Sequence, residues 1–382
     1  MADRPFLEFF AGIGLVRLGL QRGGWAGVFA NDIDPKKREM YVAAFPSDPP
    51  DHYVLDDVHR LRADSLPAAT LATASFPCTD VSLAGYRKGL AGEQSGAFWG
   101  FARVLSGLDG QRPPIVMIEN VPGLVTSHGG GDLKAIVHSL NRLGYSCDAF
   151  VLDALHFVPQ SRARLFIVGI MDRSCIWDIE CALAKRAVHL KTPQLTAFML
   201  RTKAELRWST LEIPSPPRHT RGLSQALEDL PDDSPRWWSK PRVDYLVGQM
   251  SSRHRQVVER LQSDDRLYCC TVYRRMRGGR SRAELRADDI AGCLRTPRGG
   301  SSRQVVVVVG QGSYRARFMT PREYARLQGV PDSFPITVPD NQALFGFGDA
   351  VCVPAIEWIT LNVLNPLLRG TCSAEANTLA RT

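Results

Sequence analysis

The chain of 382 residues has a formal net charge of +8, with 44% hydrophobic and 23% charged residues. This composition is typical of one large globular domain or two ordinary ones and excludes a disordered chain. No run approaches the roughly 20 apolar residues of a membrane span, and the N-terminus lacks a signal-peptide pattern. Nine cysteines without a CxxC pair favour neither a disulfide scaffold nor a zinc site. We therefore expect a cytoplasmic protein without metal or membrane contact.

Positive charge is concentrated in the second half of the chain. Residues 251–330 contain 17 arginines, no lysine and 7 acidic residues, whereas residues 1–170 contain 16 basic and 17 acidic residues. Arginine binds phosphate groups and guanine edges through paired hydrogen bonds, which lysine cannot do. This asymmetry favours a nucleic-acid partner, the alternative being a solvated arginine-rich surface.

Short apolar runs alternate with longer mixed segments through the first 170 residues. We predict strands over 6–10, 25–30, 71–76, 115–118, 149–152 and 165–170, and helices up to about residue 21, from Pro35, and around 96–107 and 132–143. Alternating strands and helices predict right-handed crossovers and a mainly parallel sheet. Because ligands of such sheets bind beyond the carboxyl ends of the strands, the segments that follow the strands are candidate sites.

The alternation is lost between about residues 171 and 300, where Pro-rich and Arg-Gly stretches predict a second, irregular module. Thr320 followed by Pro321 and Glu323 predicts a helix over 320–329 that begins in a capping box. Apolar residues at helical spacing over 350–368 predict a closing amphipathic helix. We predict one domain from 1–170 plus 336–382 and another from 171–335.

Two features near the N-terminus favour a nucleoside-bearing ligand. Phe10-Ala11-Gly12-Ile13-Gly14 follows the first strand, and such a turn lets a ligand approach the backbone and a helix N-terminus. Asp32 ends the second strand, where a carboxylate can accept both hydroxyls of a ribose, although a turn or N-cap aspartate is equally compatible. Because a GxGxxG fingerprint is absent, the pattern indicates a cofactor without a pyrophosphate.

A thiol, a carboxyl group and two guanidinium groups follow or precede other strands. Cys78 comes after Pro77 at a strand end, as a nucleophile would, although buried structural cysteines are common. Glu119 ends the strand at 115–118 and can exchange a proton beside that thiol. Arg162 and Arg164 share one side of an extended chain. They are candidates to anchor a polar edge of a substrate, or they are a plain surface pair.

In their order and approximate spacing, these segments resemble the motifs of the cytosine-5 DNA methyltransferases. The matches are FxGxG at Phe10, Gly12 and Gly14, an acidic strand end at Asp32, PC at Pro77 and Cys78, ENV at Glu119-Asn120-Val121, QxRxR at Gln160, Arg162 and Arg164, a late motif over 317–331, and G(N)AVxxP over 348–354. The resemblance covers about 1–170 and 315–368. Asp349 replaces the family's usual Asn, and Thr79-Asp80-Val81-Ser82 replaces Gln-Pro-Phe-Ser after the PC motif.

The resemblance implies an α/β fold with a Rossmann-like S-adenosylmethionine-dependent methyltransferase sheet and a smaller, irregular target-recognition domain. It implies that Cys78 adds to C6 of a flipped-out cytosine and that a protonated Glu119 donates to N3. Arg164 would hold O2 of the base, and Arg162 would support the acid and the thiolate. The implied cofactor site contains Phe10, Ala11, Gly12, Ile13, Gly14, Leu15, Asp32, Ile33, Asp57, Val58, Pro77, Phe98, Asp349 and Ala350.

The implied partner is double-stranded DNA, bound by a monomeric enzyme. The enzyme would belong to a restriction–modification system, with a separately acting endonuclease, or would be an orphan methylase. The stretch from Gly85 to Gly96 resembles the family's mobile loop. One alternative is a relative that acts on tRNA, against which the length of 171–300 argues. Another is a non-catalytic DNA-binding protein of the same fold, against which the retained Cys78, Glu119 and arginines argue.

Overall fold

The computed structural model describes residues 4–77, 96–171, 179–277, 279–297 and 303–368. The chain forms two compact units. Unit 1 comprises Met1–Asp153, Ala163–Pro217 and Val353–Thr382, and unit 2 comprises Ala154–Arg162 and Arg218–Cys352. These bounds differ from the predicted ones, because side chains beyond residue 170, among them Leu183, Leu195 and Phe198, are buried in the core of unit 1.

Unit 1 contains a seven-stranded sheet. Its strands are β1 Pro5–Phe9, β2 Ala26–Asp32, β3 Tyr53–Leu55, β4 Leu71–Ala74, β5 Ile115–Asn120, β6 Tyr145–Asp153 and β7 Ala163–Met171, in the spatial order β3-β2-β1-β4-β5-β7-β6. The pairs from β3 to β5 are parallel, whereas β7 is antiparallel to both β5 and β6. The predicted α/β sheet is confirmed, and β3 is the strand that the sequence pattern did not reveal.

Helices cover this sheet and continue into the second unit. They are α1 Leu15–Arg22, α2 Pro35–Ala44, α3 Ala97–Gly107, α4 Gly131–Arg142, α5 Ile179–Lys185, α6 Pro193–Arg201, α7 Lys240–Gly248, α8 Ser252–Gln262, α9 Pro321–Leu327, α10 Asp340–Asp349 and α11 Val353–Ile359, of which α7 to α10 belong to unit 2. All residues of β4 and β5 are buried. Burial of every residue is typical of strands that are covered on both faces.

Unit 2 contains a four-stranded antiparallel sheet. Its strands are β8 Tyr268–Arg277, β9 Arg280–Arg286, β10 Val305–Gly310 and β11 Ser313–Phe318, in the order β11-β10-β8-β9. Val272, Val305 and Val307 lie in its core. The sheet adds regular structure to a region whose sequence predicts mostly loops. Arginines on β8 and β9 and the five consecutive valines of β10 conceal the alternation that normally reveals a strand.

The helix predicted from Thr320 is present as α9, and its capping box is confirmed. The Glu323 backbone N–H donates to Thr320 Oγ1 (3.2 Å), and the Thr320 N–H donates to Glu323 Oε2 (2.9 Å). At the C-terminal end, α11 continues into a π-helical turn over Thr360–Leu364, which confirms the closing helix. By length and composition alone, one described stretch, Asp340–Leu368, could cross a membrane. Its most apolar window is 61% buried, as a core helix would be.

Candidate active site

The turn between β1 and α1 is closely packed at Gly14 and open at Gly12. Phe10, Gly12 and Gly14 all have positive φ, at 57°, 57° and 83°. A Cβ on Gly14 would lie 2.5 Å from the Phe45 ring, so only glycine fits there. Among the residues that the structure describes, a Cβ on Gly12 would meet only the Phe10 carbonyl oxygen, at 4.0 Å. The backbone at Gly12 therefore leaves space for close approach, and its contact with a ligand stays a prediction.

Asp32 connects the end of β2 to this turn. Its Oδ2 accepts a hydrogen bond from the Gly12 N–H (2.9 Å), and its Oδ1 accepts one from the Asp34 N–H (3.0 Å). A carboxylate has about four acceptor positions, so these two bonds leave others for a ligand. The neighbouring Ile33 side chain is 67% exposed and offers an apolar surface beside Asp32. The structure thus brings Asp32, Ile33 and the glycine turn together at one edge of the sheet.

The segment after β3 is held beside β2 by a buried amide that the sequence analysis missed. Asn31 Nδ2 donates to the carbonyl oxygens of Val54 (2.9 Å) and Asp56 (2.8 Å). Asp57 then caps a short 3-10 turn, since its Oδ1 accepts from the His59 N–H (2.9 Å). The amide thereby fixes the position from which Asp57 starts this turn.

Val58 and Phe98 lie in the core of unit 1, where both side chains are buried. The Phe98 ring packs against the Phe76 ring with centroids 5.7 Å apart. Leu15 and Ile13 of the first turn are also buried. These placements give all four side chains a packing role, and their contact with a cofactor stays a prediction.

The chain that leads to the predicted nucleophile is anchored at two points. Asn120 Nδ2, at the end of β5, donates to the Phe76 carbonyl oxygen (3.3 Å). The Phe76 ring meets the Phe10 ring edge-on, with centroids 6.4 Å apart. Pro77 follows as an exposed residue. Cys78 and the predicted mobile loop up to Ser95 lie outside the described residues.

Glu119 and Arg164 form a buried ion pair beside this anchor. Glu119 is 7% exposed, and its Oε1 lies 3.0 Å from Arg164 Nε. The two side chains share a sheet face because Glu119 is opposite Phe166 in the antiparallel β5–β7 pair, one diagonal step from Arg164. The support for the acid that was predicted from Arg162 therefore comes from Arg164.

Arg162 holds backbone within unit 2. This buried side chain donates to the carbonyl oxygens of Leu294 (2.8 Å), Gly348 (3.0 Å) and Ala350 (2.7 Å). Between the last two carbonyl groups stands Asp349, the exposed final residue of α10. Arg162 thus fixes the backbone on both sides of the position where the family usually has Asn.

A second buried network lies behind the glycine turn. Glu8 accepts hydrogen bonds from the Arg17 backbone N–H (3.1 Å) and the Tyr41 hydroxyl (3.2 Å), and the Arg17 guanidinium also pairs with Asp48. Since Gly14 offers no side-chain cap, Glu8 satisfies one of the free N–H groups of α1. Burial raises the pKa of Glu8 to about 7. The acidic residue in the otherwise apolar run FLEFF was the available signal.

Comparison with known proteins identifies the family of the chain. The family model of C-5 cytosine-specific DNA methylase matches residues 5–365. The Type II methyltransferase M.DsaV of Dactylococcopsis salina is 28% identical over 94% of this chain and 86% of its own length. M.HaeII of Haemophilus aegyptius is 27% identical over 97% and 96%, respectively.

Two solved structures share the fold. A Dnmt2 methyltransferase of S. pombe aligns with a TM-score of 0.59 and 19% identity, covering 96% of this chain and 99% of that one. The Entamoeba histolytica methyltransferase EhMeth aligns with a TM-score of 0.62 and 14% identity over the same shares. The resemblance predicted from the motifs is confirmed: the chain belongs to the C-5 cytosine-specific DNA methylase family and is a DNA cytosine-5 methyltransferase.

Proposed function

We propose that the enzyme methylates C5 of a cytosine flipped out of a specific duplex DNA sequence, through a covalent adduct with Cys78. One observation carries the proposal. The Asn120 amide holds the Phe76 carbonyl, two residues before Cys78, next to the buried Glu119–Arg164 pair. This geometry supports a thiol, an acid and a cation acting at one sheet edge.

We infer that S-adenosylmethionine is the methyl donor, and the described residues fit such a group. The backbone at Gly12 is open, Asp32 has free acceptor positions beside it, and Ile33 offers an exposed apolar surface. The turn from Phe10 to Leu15 would hold the methionine part, Asp32 the ribose and Ile33 the adenine, with Asp57 near the adenine amine. When bound, the donor supplies the methyl group that C5 receives.

The chain's own residues would activate the base. The Cys78 thiolate adds to C6 of cytosine, which breaks the aromaticity and makes C5 nucleophilic. In its protonated form, Glu119 donates a proton to N3 as negative charge develops there, and the resulting carboxylate forms the ion pair with Arg164. After C5 is methylated, its proton leaves to a base, N3 returns its proton to Glu119, and Cys78 is eliminated as thiolate.

A cytosine inside a duplex is out of reach of these groups. Flipping it out costs a few kcal/mol, which protein–DNA contacts must offset. We assign the chemistry to unit 1 and target recognition to unit 2, whose strands β8 and β9 contain many arginines. As a member of a restriction–modification system or as an orphan methylase, the enzyme would act as a monomer on double-stranded DNA.

A mechanism-based trap tests the covalent step. Duplex DNA in which 5-fluorocytosine replaces cytosine should form a covalent complex with the wild type and S-adenosylmethionine, because fluorine cannot leave as a proton does. Cys78→Ala should form none. Cys181→Ala, which removes an exposed free thiol, is the matched control and should behave as wild type.

Two outcomes would overturn the proposal. One is methyl transfer by Cys78→Ala at the wild-type rate. The other is a folded wild type that forms an adduct with 5-fluorocytosine in tRNA but with no duplex from a library that contains every short cytosine context. The second outcome would favour the RNA-acting alternative.

A further inference from the structure

One face of the β8–β9 hairpin in unit 2 carries a row of arginines. The register pairs Tyr273 with Glu284 and Arg275 with Arg282. Side chains alternate between the two faces of a strand, so one face carries the following six residues, here called the basic face: Tyr273, Arg275, Arg280, Arg282, Glu284 and Arg286. On the opposite face, Val272 and Ala283 are buried in the core of unit 2. The basic face is therefore turned away from that core, on the edge strand β9 and its neighbour β8.

The charges of this face are only partly compensated. Arg286 pairs with Asp288, and Arg275 lies near Glu284. Arg280 and Arg282 are both exposed, and neither has an acidic partner among the residues that the structure describes.

Two other arginines of unit 2 are neutralised by acidic partners. The exposed Arg266 pairs with Asp264 (3.0 Å), and the half-buried Arg326 pairs with Asp332 (2.8 Å). Two uncompensated guanidinium groups on one edge strand attract a polyanion more strongly than such neutralised pairs do.

The Arg275 side chain is held in a geometry suited to hydrogen bonding with the edge of a base. Its guanidinium lies over the Tyr273 ring, 4.6 Å from the centroid, and its Nη2 donates to the Tyr273 hydroxyl (2.9 Å). Its Nε lies 3.5 Å from Glu284 Oε2, and the side chain remains 42% exposed. A guanidinium has five N–H groups, so several remain free in a direction that Tyr273 and Glu284 fix.

The Arg275 side chain lines an open cleft of about 430 Å³. The cleft is also lined by three further arginines, Arg274, Arg286 and Arg295. A guanidinium that is both fixed and exposed loses little conformational entropy on binding. Its paired N–H groups match O6 and N7 of guanine through two hydrogen bonds.

We propose that the basic face reads duplex DNA, with Arg275 contacting a guanine of the recognition sequence and Arg280 and Arg282 neutralising phosphates. The inference rests on the proposed function, since it assigns target recognition to unit 2. It divides the arginines into one that determines sequence and two that determine affinity.

Modified duplexes test the role of Arg275. The methylated sequence is first mapped by sequencing 5-methylcytosine in plasmid DNA treated with the enzyme. Each guanine of that sequence is then replaced singly by 7-deazaguanine, which lacks the N7 acceptor. At one position this should lower the wild-type kcat/KM by about 10-fold or more, as expected for the loss of part of a paired contact. In Arg275→Ala the same replacement should have no effect.

Arg266→Ala is the matched control, because it removes one positive charge from an exposed arginine of the same unit. It should keep the wild-type penalty at every position. Arg280→Ala and Arg282→Ala should keep it too, while each flattens the dependence of log affinity on log salt by about 0.9, the value for one phosphate contact.

The inference fails if Arg275→Ala keeps the wild-type 7-deazaguanine penalty, if no guanine position carries one, or if the Arg280→Ala/Arg282→Ala double variant has the wild-type salt slope. Wild-type methyl transfer measured in the same assay separates the two proposals. Its absence from every duplex refutes the proposed function. Its presence together with any of the three outcomes refutes only the role of the basic face.

Discussion

The polar groups on the sheet of unit 1 and those on the basic face of unit 2 are held in opposite ways. Glu8, Asp32, Glu119 and Asn120 are all buried, and each has a defined partner within unit 1. Arg280 and Arg282 are exposed and have no acidic partner among the described residues of unit 2. In the proposed mechanism, the groups that act on the base are thus fixed before the substrate arrives, whereas the groups proposed to recognise DNA are left for DNA to complete. Substitutions should therefore affect rate and stability in unit 1, and affinity and sequence preference in unit 2.

The largest effect is expected at the buried acid. Glu119→Gln keeps the shape of the side chain but cannot donate a proton to N3 as a carboxyl group does. Its single-turnover rate of methyl transfer should fall on the order of 10²- to 10⁴-fold. DNA affinity, measured by fluorescence anisotropy, should stay near that of wild type. Arg282→Ala should show the reverse pattern, and a rate loss equal to that of Glu119→Gln would contradict the division between the units.

Substitutions of Gly12 and Gly14, two glycines of the same turn, should differ in their effects on stability and on cofactor affinity. Gly14→Ala combines a left-handed φ with a Cβ that would overlap the Phe45 ring, and should lower the free energy of unfolding by about 3 kcal/mol. Gly12→Ala has only the unfavourable φ and should lose about 1 kcal/mol. Denaturant unfolding measures both values. Calorimetric titration with S-adenosylmethionine should show a larger loss of affinity, relative to the loss of stability, in Gly12→Ala than in Gly14→Ala. Equal losses of stability would contradict the packing role of Gly14.

Glu8 should make stability depend on pH. Burial raises its pKa from 4.5 to about 7, so between these values the folded state keeps a proton that the unfolded state has lost. The free energy of unfolding should therefore fall by about 3 kcal/mol as pH rises from 4.5 to 7, and this contribution should be constant above pH 7. Glu8→Gln should remove this contribution, as measured by thermal unfolding across the range. Parallel curves for the two proteins would exclude the buried Glu8 as its source.

The smallest effect on stability is expected on the basic face. Arg282→Ala should change the free energy of unfolding by no more than about 0.5 kcal/mol, because the side chain is exposed and has no acidic partner in the described part of unit 2. Arg317→Ala is the contrasting control, since this buried arginine of the same sheet pairs with Glu323. Breaking such a pair costs about 3–5 kcal/mol. Similar losses in both variants, measured by denaturant unfolding, would remove the contrast between buried and exposed arginines.

The sequence predicted the parts of the site that depend on short-range rules. Glycines in a strand-to-helix turn, Asp32 at a strand end and Glu119 after an apolar run all mark the carboxyl edge of a parallel sheet. The partners of these residues were harder to predict. The bond from Asn120 to Phe76 joins residues 44 apart, and equal spacing could not decide whether Arg162 or Arg164 meets Glu119. The sheet of unit 2 was missed because its arginines and valines do not alternate as a half-buried strand does.

The reversed direction of β7 has a consequence for how tolerant the enzyme is to deletions. Arg164 lies near the start of β7, yet it reaches the Glu119 carboxyl group near the end of β5, and this requires the two strands to be antiparallel. The nine residue pairs between β6 and β7 fix the register on the other side. Loss of a single residue from within β7 would turn the guanidinium to the opposite face of the sheet. The position of Arg164, the arginine proposed to assist catalysis, therefore depends on the length of β7 as much as on the identity of the residue.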